Sequence, residues 1–317
     1  MHAVLPRRAM LPLEERIERA DRMAWGQLPL PGRGQTAARH QALLEIARRD
    51  LSLARIAEAH ADALAILAEA GRVPRDDALY GVWASEAPRA PVLARRSSSG
   101  EWQLDGLKHY CSGSTFLSAA LLTARVGDAV LLFDVALDQS GIAIQDSTWT
   151  TPAFADTQTR AVSFTDVRVT GDRLLGNDNW YLARPGFWHG AIGPAACWAG
   201  GAASLVDAAT ALNRRDPHSR AHLGAMQAMS WGLSTLLEKA GDEIDADPHD
   251  QRQQARRRAL QVRHLVERWC AEILDRFGRA TGPQLLAYDP QMARQHMALT
   301  LYIRQCHAER DLETIPT

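Results

Sequence analysis

The stretch EWQLDGLKHYCSGST, residues 101–115, is the part of the sequence on which the predicted fold depends. A Trp-x-Leu pattern precedes Asp105-Gly106 and a Lys-x-Tyr-x-Ser-Gly pattern follows it, and Asp-Gly tolerates the positive φ angles of a two-residue turn. We therefore expect a β-hairpin. Its second strand ends in small, hydroxyl-bearing residues, Ser112 to Thr115, which leave backbone N–H groups accessible and suit a flat polar ligand.

Composition excludes several classes of function. The 317 residues are 46% hydrophobic, and 36 Lys and Arg face 37 Asp and Glu, so no general affinity for polyanions such as nucleic acids is expected. No apolar run has the length of a signal peptide or a membrane span, which predicts a cytoplasmic protein without a membrane partner. Four scattered cysteines without a Cys-x-x-Cys pair argue against a disulfide framework and predict free, mostly buried thiols.

The pattern of residues changes twice along the chain, which predicts an α+β protein of three domains. Residues 1–78 are expected to be helical, at 13–23 and 36–71, and residues 79–178 alternate short apolar runs with turn residues, as a β-domain does. Within it, Gly127-Asp128 should connect a second hairpin, 117–126 with 129–135. The last domain, 179–317, should be an antiparallel four-helix bundle. Its helices are expected at residues 187–212, 220–243, 250–281 and 289–312.

Two motifs in order resemble those of the acyl-CoA dehydrogenase family. Residues 100–112 match its Gly-x-Trp-x-Leu-x-Gly-x-Lys-x-(aromatic)-x-(Thr/Ser) motif, and residues 162–176 are similar to its Phe-x-x-Val-x-Val-Pro-x-x-x-x-Leu-Gly exit from the β-domain. The resemblance implies N-terminal helices, a middle β-domain and a C-terminal helical bundle that together bind FAD. Here the N-terminal helical part is shorter than in the family. No Gly-x-Gly-x-x-Gly opens a helix, so a Rossmann domain is excluded.

The resemblance also implies which residues bind the flavin. Trp83, Ala84 and Ser85 correspond to an (aromatic)-x-x-Thr-Glu-Pro segment that contacts the ring, with Ser85 in place of the threonine, although the continuation that holds the acyl thioester in the family is absent. Tyr110 and Ser112 correspond to an aromatic residue and a hydroxyl beside the ring. The alternative is an ordinary strand end for Trp83 and Ser85, and a core or cross-strand aromatic for Tyr110.

Two further resemblances lie in the C-terminal part. Residues 220–224 resemble an Arg-x-x-Phe-Gly motif whose arginine reaches the FAD pyrophosphate of a neighbouring subunit, which implies that Arg220 binds phosphate and that the protein is a homodimer or homotetramer. Gly278 and Gly282 remain from a Gln-x-x-Gly-Gly-x-Gly stretch that holds the adenosine end of FAD. For Arg276 and Arg279, an exposed basic helix end closed by a Gly-Pro cap is at least as good an interpretation.

The candidate catalytic base is Glu313. Aligning Arg304 with the family's Arg-Asp-Ala-Arg helix brings Glu313 onto the glutamate that removes a proton α to the thioester, with Glu309 and Asp311 as alternatives. The context differs, because Leu312 replaces an aromatic residue and Thr314 a glycine. A solvated, charged helix end is the commoner meaning of such a run.

Three functions are therefore compatible with the sequence. The first, which the resemblance favours, is FAD-dependent α,β-desaturation of an acyl-CoA or other acyl thioester, with an electron-transfer partner that the sequence does not identify. The second is a flavin-dependent monooxygenase of the same superfamily, which needs no α-carbon base. The third is a scaffold protein without flavin. A metal site is not expected. His218 and His222 have the spacing of two metal ligands on a helix, but the glutamate of a His-Glu-x-x-His motif is missing and the sequence suggests no third ligand.

Overall fold

The structure is a computed structural model that describes residues 11–20, 22–85, 91–98 and 100–315. Helices open the described chain, as predicted for this region. The longest of them begins where the Asp50 side chain accepts hydrogen bonds from the backbone N–H groups of Ser52 and Leu53, and the chain leaves it at Gly71, which has a φ of +64°. These helices are α1 (Leu13–Arg19), α2 (Arg22–Gly26), α3 (Thr36–Arg49) and α4 (Leu51–Glu69).

An eight-stranded sheet follows the first helices. Its main path runs β6-β7-β3-β2-β4-β5-β8, and β1 pairs with β4 in parallel at the side of this path. Most other neighbours are antiparallel, but β2 meets β4 in parallel at one pair of residues. The strands are β1 (Tyr80–Trp83), β2 (Leu93–Arg96), β3 (Trp102–Cys111), β4 (Ala119–Val126), β5 (Ala129–Ala136), β6 (Ile142–Ile144), β7 (Arg160–Val169) and β8 (Leu174–Leu175).

The predicted hairpin at residues 101–115 is wrong, because Trp102–Cys111 forms the single strand β3 and the residues that follow it form a turn. The pairing of β3 with β7 shifts its register between Leu104 and Gly106, so Asp105-Gly106 forms an irregularity inside the strand and not a turn. Gly106 has a φ of +133°, and a Cβ there would lie 2.5 Å from the carbonyl oxygen of Pro91. The positive φ expected at this glycine is present, but its role is the close approach of two backbones.

The second predicted hairpin is confirmed. Strands β4 and β5 pair antiparallel from Ala119 opposite Ala136 to Val126 opposite Ala129, with Gly127 at a φ of +58° in the connection. The first part of the second family-like motif, residues 162–169, lies in β7, which pairs antiparallel with β3 and so lies beside the first motif. The two stretches that carry the resemblance are therefore neighbouring strands.

Helices also close the described chain. The fourth long segment is shorter than predicted: its helix ends at Tyr302, and a 3₁₀ turn (Ile303–Gln305) and a five-residue helix replace the rest. The helices are α5 (Trp180–Ala183), α6 (Pro185–Gly190), α7 (Gly193–Ala211), α8 (Pro217–Ala246), α9 (Ala255–Thr281), α10 (Gln284–Tyr288), α11 (Pro290–Tyr302) and α12 (Glu309–Glu313).

Helix α3 is packed into the C-terminal helices, against α7 and α8. A Cβ on Gly200 of α7 would lie 2.7 Å from Cβ of Ala47, and one on Gly241 of α8 would lie 2.6 Å from Cα of Ala37. The Asp245 carboxylate accepts hydrogen bonds from the backbone N–H groups of Gly34 and Thr36 at the start of α3. The bundle thus takes one helix from the beginning of the chain, and the division into domains at residues 78 and 178 stays a prediction.

The hydrophobic core fills the space between these helices and between the sheet and α4. Trp198 and Phe277 are completely buried among the C-terminal helices, while Leu104 and Phe133 are buried in the sheet. All four cysteines are free and buried, as predicted. Of the helices in the described ranges, none is both long enough and apolar enough to cross a lipid bilayer; the cytoplasmic location stays a prediction.

Candidate functional site

A cavity of about 510 Å³ lies where one face of α4 meets the ends of strands β1 and β3. Helix α9 and the segments around α6 and α12 supply the rest of its lining. Its volume is within the range of small-molecule and cofactor pockets. Four aromatic side chains on the helical side contribute to the lining: Tyr181, Phe187, Trp188 and Tyr302.

Four of the predicted cofactor residues line this cavity together. Ala84 and Ser85 follow β1, while Tyr110 and Ser112 lie at the end of β3. Trp83 is buried behind them, where its Nε1–H donates to the Ser112 carbonyl oxygen at 3.2 Å. The topology explains this meeting, because the turn after β3 leads into the start of β4, and β1 pairs with β4 there, with Tyr80 opposite Ala119. The role of these residues toward a cofactor stays a prediction.

Ser112 is the best-connected of these side chains. Its Oγ accepts a hydrogen bond from Nε of Arg55 at 3.2 Å and lies 2.9 Å from Oγ1 of Thr159. The Arg55 guanidinium also lies over the ring of Tyr302, 5.3 Å from its centroid. Tyr110 differs from the others: it has a φ of +60° and is 63% exposed, so it stands at the cavity's opening and not in the core.

Arg220 and Gly278 do not line the cavity in the single chain. Arg220 is exposed in the first turn of α8, and Gly278 lies one turn before the end of α9, where a Cβ would meet nothing within 4 Å. Contact with a cofactor held by a neighbouring subunit stays a prediction for both. Near Arg220, His222 lies 3.3 Å from a nitrogen of Arg276.

Glu313 also lies away from the cavity, with its side chain exposed on α12. Among the described residues, the carboxylates that do line it are Glu58, Asp62 and Asp311. Asp311, one of the two alternatives considered for the base, is 3.4 Å from Nδ1 of His307, which lines the cavity as well. A proton-transfer role for Glu313 stays a prediction that the fold does not favour.

Sequence reasoning missed the most highly charged wall of the cavity. Arg55, Glu58 and Asp62 are three and seven residues apart on α4, so they share the face that lines the cavity. The available signal was their position in a helix that is otherwise apolar and buried. Charged residues at helical spacing on such a helix need a polar environment inside the protein.

Burial determines the charge state of this wall. Desolvation raises the pKa of Glu58 to about 8, and the nearby Asp62 carboxylate adds to the rise, while Arg39 and Arg55 oppose it. Desolvation also raises the pKa of Asp62, against the attraction of Arg184 and Arg39. A carboxyl group whose pKa lies near 8 can accept or donate a proton close to neutral pH.

The raised pKa of Glu58 predicts a loss of stability at alkaline pH. A carboxyl group with a pKa near 4.5 when unfolded and about 8 when folded stabilises the fold below the unfolded value, and this contribution is lost as pH rises through 8. We expect Glu58→Gln to reduce the fall in unfolding free energy between pH 6 and pH 9 by on the order of a few kcal/mol. Urea unfolding at both pH values measures it, with Glu45→Gln on the outer face of α3 as control. Equal pH dependence in wild type and Glu58→Gln would contradict the assignment.

The residues around the cavity fit a flavin. Ser85, Ser112 and Arg55 can donate hydrogen bonds to the polar edge of an isoalloxazine ring, and the aromatic side chains offer flat apolar surface. Nε of Arg184, a residue that also lines the cavity, is buried without a hydrogen-bond partner in the described structure and is a donor available to a ligand. No group of three or more His, Cys, Asp or Glu suited to a metal ion occurs in the described ranges.

Comparison with solved structures identifies the fold. KijD3, solved with FMN and dTDP-3-amino-2,3,6-trideoxy-4-keto-3-methyl-D-glucose, is similar over 94% of this chain and 83% of its own, with a TM-score of 0.79 and 18% identity. The FMN-bound dibenzothiophene monooxygenase TdsC from Paenibacillus sp. A11-2 is similar over 95% and 93%, with a TM-score of 0.77 and 17% identity. This chain has the acyl-CoA dehydrogenase-like fold.

The same fold occurs in the methanesulfinate monooxygenase MsuC from Pseudomonas fluorescens, which is similar over 96% of this chain and 95% of its own (TM-score 0.76, 19% identity). No protein-family model and no curated protein sequence matches the chain. The predicted α+β class is thus confirmed, and of the resemblance the fold alone is confirmed. Membership of the acyl-CoA dehydrogenases proper does not follow from it.

Proposed function

We propose that this protein is a flavin-dependent monooxygenase that uses FMN and oxygenates a small organic substrate in the cavity beside α4. The observation that carries the proposal is that the predicted ring-binding residues Ala84, Ser85, Tyr110 and Ser112 line one cavity in an acyl-CoA dehydrogenase-like fold. Similar structures include enzymes named as monooxygenases, which supports oxygenation. This was the second of the functions that the sequence left open.

Two observations favour oxygenation over desaturation of an acyl thioester. Glu313, the predicted α-carbon base, is exposed and outside the cavity. The segment after Ser85 also lacks the residues that hold the thioester in the family that this sequence resembles. Oxygenation needs no base aligned with an α-carbon, so it is compatible with both departures.

Two observations favour FMN over the predicted FAD: the cofactor of similar structures, and the positions of Arg220 and Gly278. KijD3 and TdsC were solved with FMN. The two positions expected to hold the remainder of FAD, Arg220 and Gly278, lie away from the cavity in the single chain. FMN needs only a ring site and a phosphate site. The oligomer predicted from the resemblance remains part of the proposal, since a neighbouring Arg220 would supply a cation for the phosphate.

The chemistry divides between the cofactor and the chain. Bound reduced flavin supplies two electrons for the activation of O₂, so that one oxygen atom enters the substrate and the other leaves as water with two protons. Ser85, Ser112 and Arg55 orient the ring through hydrogen bonds, and the aromatic side chains exclude water. The carboxyl group of Glu58 holds a proton that can be exchanged at its Oε atoms near neutral pH.

The reducing equivalents would come from another protein. We propose that a separate flavin reductase delivers the reduced FMN that the reaction consumes. In this scheme the electron-transfer partner left open by the sequence is that reductase.

Reconstitution tests the function. The purified protein should bind FMN, and with reduced FMN and ¹⁸O₂ it should transfer one ¹⁸O atom to a heteroaromatic probe such as indole, as measured by mass spectrometry. A protein that takes up neither FMN nor FAD would support the scaffold alternative. Anaerobic bleaching of bound flavin by an acyl-CoA would support desaturation and contradict the proposal.

The Glu313→Gln variant discriminates between the two reactions. Because Glu313 is exposed outside the cavity, we expect the variant to keep the wild-type rate of ¹⁸O incorporation. Initial rates at saturating reduced FMN measure this. Loss of turnover with intact FMN binding would instead support Glu313 as the base of a desaturase.

A further inference from the structure

The two carboxylates on the cavity wall, Glu58 and Asp62, have no hydrogen-bond or ion-pair partner among the described residues. Both line the cavity, four residues apart on α4. A third carboxylate on this helix, Glu69, is paired with Arg184 and shows that partners can be supplied in this region. Carboxylates out of bulk water are costly unless a cation or donors meet them.

The arginines around these carboxylates direct their N–H groups elsewhere. Arg263 donates to the carbonyl oxygens of Ala191 at 2.7 Å and Gln305 at 3.1 Å. Arg39 donates to the carbonyl oxygen of Pro29 at 3.2 Å, and Arg55 donates to Ser112. They lower the energy of a negative charge on the wall from a distance, but they leave the carboxylate oxygens free to accept hydrogen bonds from a ligand.

Two glycines provide the space that the carboxylates occupy. A Cβ on Gly190 would lie 2.6 Å from Oδ1 of Asp62, and a Cβ on Gly193 would lie 2.7 Å from Oε1 of Glu58. Any other residue at these positions would have to move the carboxylate. The two glycines, at the end of α6 and the start of α7, face the two acidic residues of α4 in the opposite chain order, so each carboxylate has a glycine opposite it.

We propose that Glu58 and Asp62 form a subsite for a protonated amine, so that the substrate of the proposed monooxygenase carries a cationic amino group; this rests on the proposed function. An ammonium group has three N–H donors and no acceptor, and two neighbouring carboxylates offer acceptors in excess. Charge-assisted hydrogen bonds of this kind are among the strongest in proteins. The aromatic walls would receive the apolar part of such an amine.

The environment of Glu58 makes the subsite dependent on pH. The groups that face Glu58 are Asp62 and Arg55 on its own helix, Arg39 on α3, and Arg263 on α9. Cys197 and the phenols of Tyr181 and Tyr302 are also near it, and burial raises the pKa of all three, so they stay neutral. A bound ammonium favours the ionised carboxyl group. Affinity for an amine should therefore rise as pH increases from 6 to 8.

Isothermal titration calorimetry with tryptamine and its neutral isostere tryptophol tests the subsite on the FMN-loaded protein. Wild type should bind tryptamine at least about tenfold more tightly than tryptophol, the ratio expected from one charge-assisted hydrogen bond. Glu58→Gln and Asp62→Asn should each lose this preference, so that tryptamine and tryptophol bind to each variant about equally. Glu45→Gln, which removes a carboxylate outside the cavity, should keep the preference.

A further variant tests the position of the Glu58 carboxylate without changing its charge. Gly193→Ala removes no charge but displaces the Glu58 carboxylate, and it should also lose the preference for tryptamine. Equal affinities of wild type for the two probes, no binding of tryptamine, or a preference that survives in Glu58→Gln would each overturn the subsite. Failure of the proposed function is separate, because it appears as absent FMN binding, which the flavin absorbance reports before any amine is added.

Discussion

Gly200→Val is expected to lower the free energy of unfolding by at least about 3 kcal/mol, near the upper end of the cost of overpacking a core. Gly200 lies where α7 crosses α3, and even a Cβ would reach 2.7 Å from Cβ of Ala47 and still closer to the carbonyl oxygen of Leu44. The obstacle is helix backbone, so no side-chain rotation relieves it. Helices α3 and α7 would have to separate, with loss of the core between them.

The adjacent glycine provides the control. A Cβ on Gly201 would meet only the side-chain ends of Leu51 and Leu299, at 3.1 to 3.2 Å, and these can move. Alanine also has the higher helix propensity, by about 1 kcal/mol. Gly201→Ala should therefore change the free energy of unfolding by no more than about 1 kcal/mol in urea titrations. Equal losses in Gly200→Val and Gly201→Ala would contradict the close contact of α3 with α7.

Arg55→Ala is expected to weaken FMN binding about ten- to a hundredfold, which corresponds to the loss of one or two hydrogen bonds from a charged donor. Arg55 connects the parts of the cavity: it donates to Ser112 and lies over the rings of Tyr302 and Phe154. Its removal takes away a cation beside the proposed ring site and leaves the Ser112 hydroxyl with only Thr159 of these two side-chain partners. Quenching of FMN fluorescence measures the dissociation constant.

Two further variants serve as controls for the FMN dissociation constant of Arg55→Ala. Arg49→Ala, an exposed arginine on α3, makes the same change of charge outside the cavity and should bind FMN as wild type does. Arg55→Lys keeps the charge but not the planar donor group, and we expect an intermediate affinity. Unchanged FMN affinity in Arg55→Ala would exclude Arg55 from the flavin site, although the fold would be unaffected.

The sequence predicted the elements of the fold better than their connections. Strands β4 and β5 were predicted because each apolar run is continuous and Gly127-Asp128 separates them. The hairpin at Asp105-Gly106 failed because local turn preference was outweighed by pairing of β3 with β2 and β7 on its two sides. The C-terminal helix ended early at Tyr302, since the ring packs against Phe154 and Trp198 and the chain turns there.

The candidate site was predicted on its sheet side and missed on its helical side. The family resemblance placed Ser85 and Ser112 beside a flavin, and Ser112 also carries a short hydroxyl at a strand end, where it has little packing value. Glu58 and Asp62 lie in a helix whose apolar periodicity indicates a core, and their exposure to a cavity depends on α6 and α7, far along the chain. Only tertiary structure reveals that Gly190 and Gly193 face them.

That pairing of acidic residues with glycines has a consequence for chimaeric proteins. If α4 were transplanted into a homologue with larger residues at positions 190 and 193, its carboxylates would collide with their new neighbours. If instead the segment with Gly190 and Gly193 were transplanted into a homologue whose helix lacks the two acidic residues, the space next to the glycines would be empty. Substrate preference should therefore be transferable between relatives only when both segments move together, and the two should change in concert during evolution.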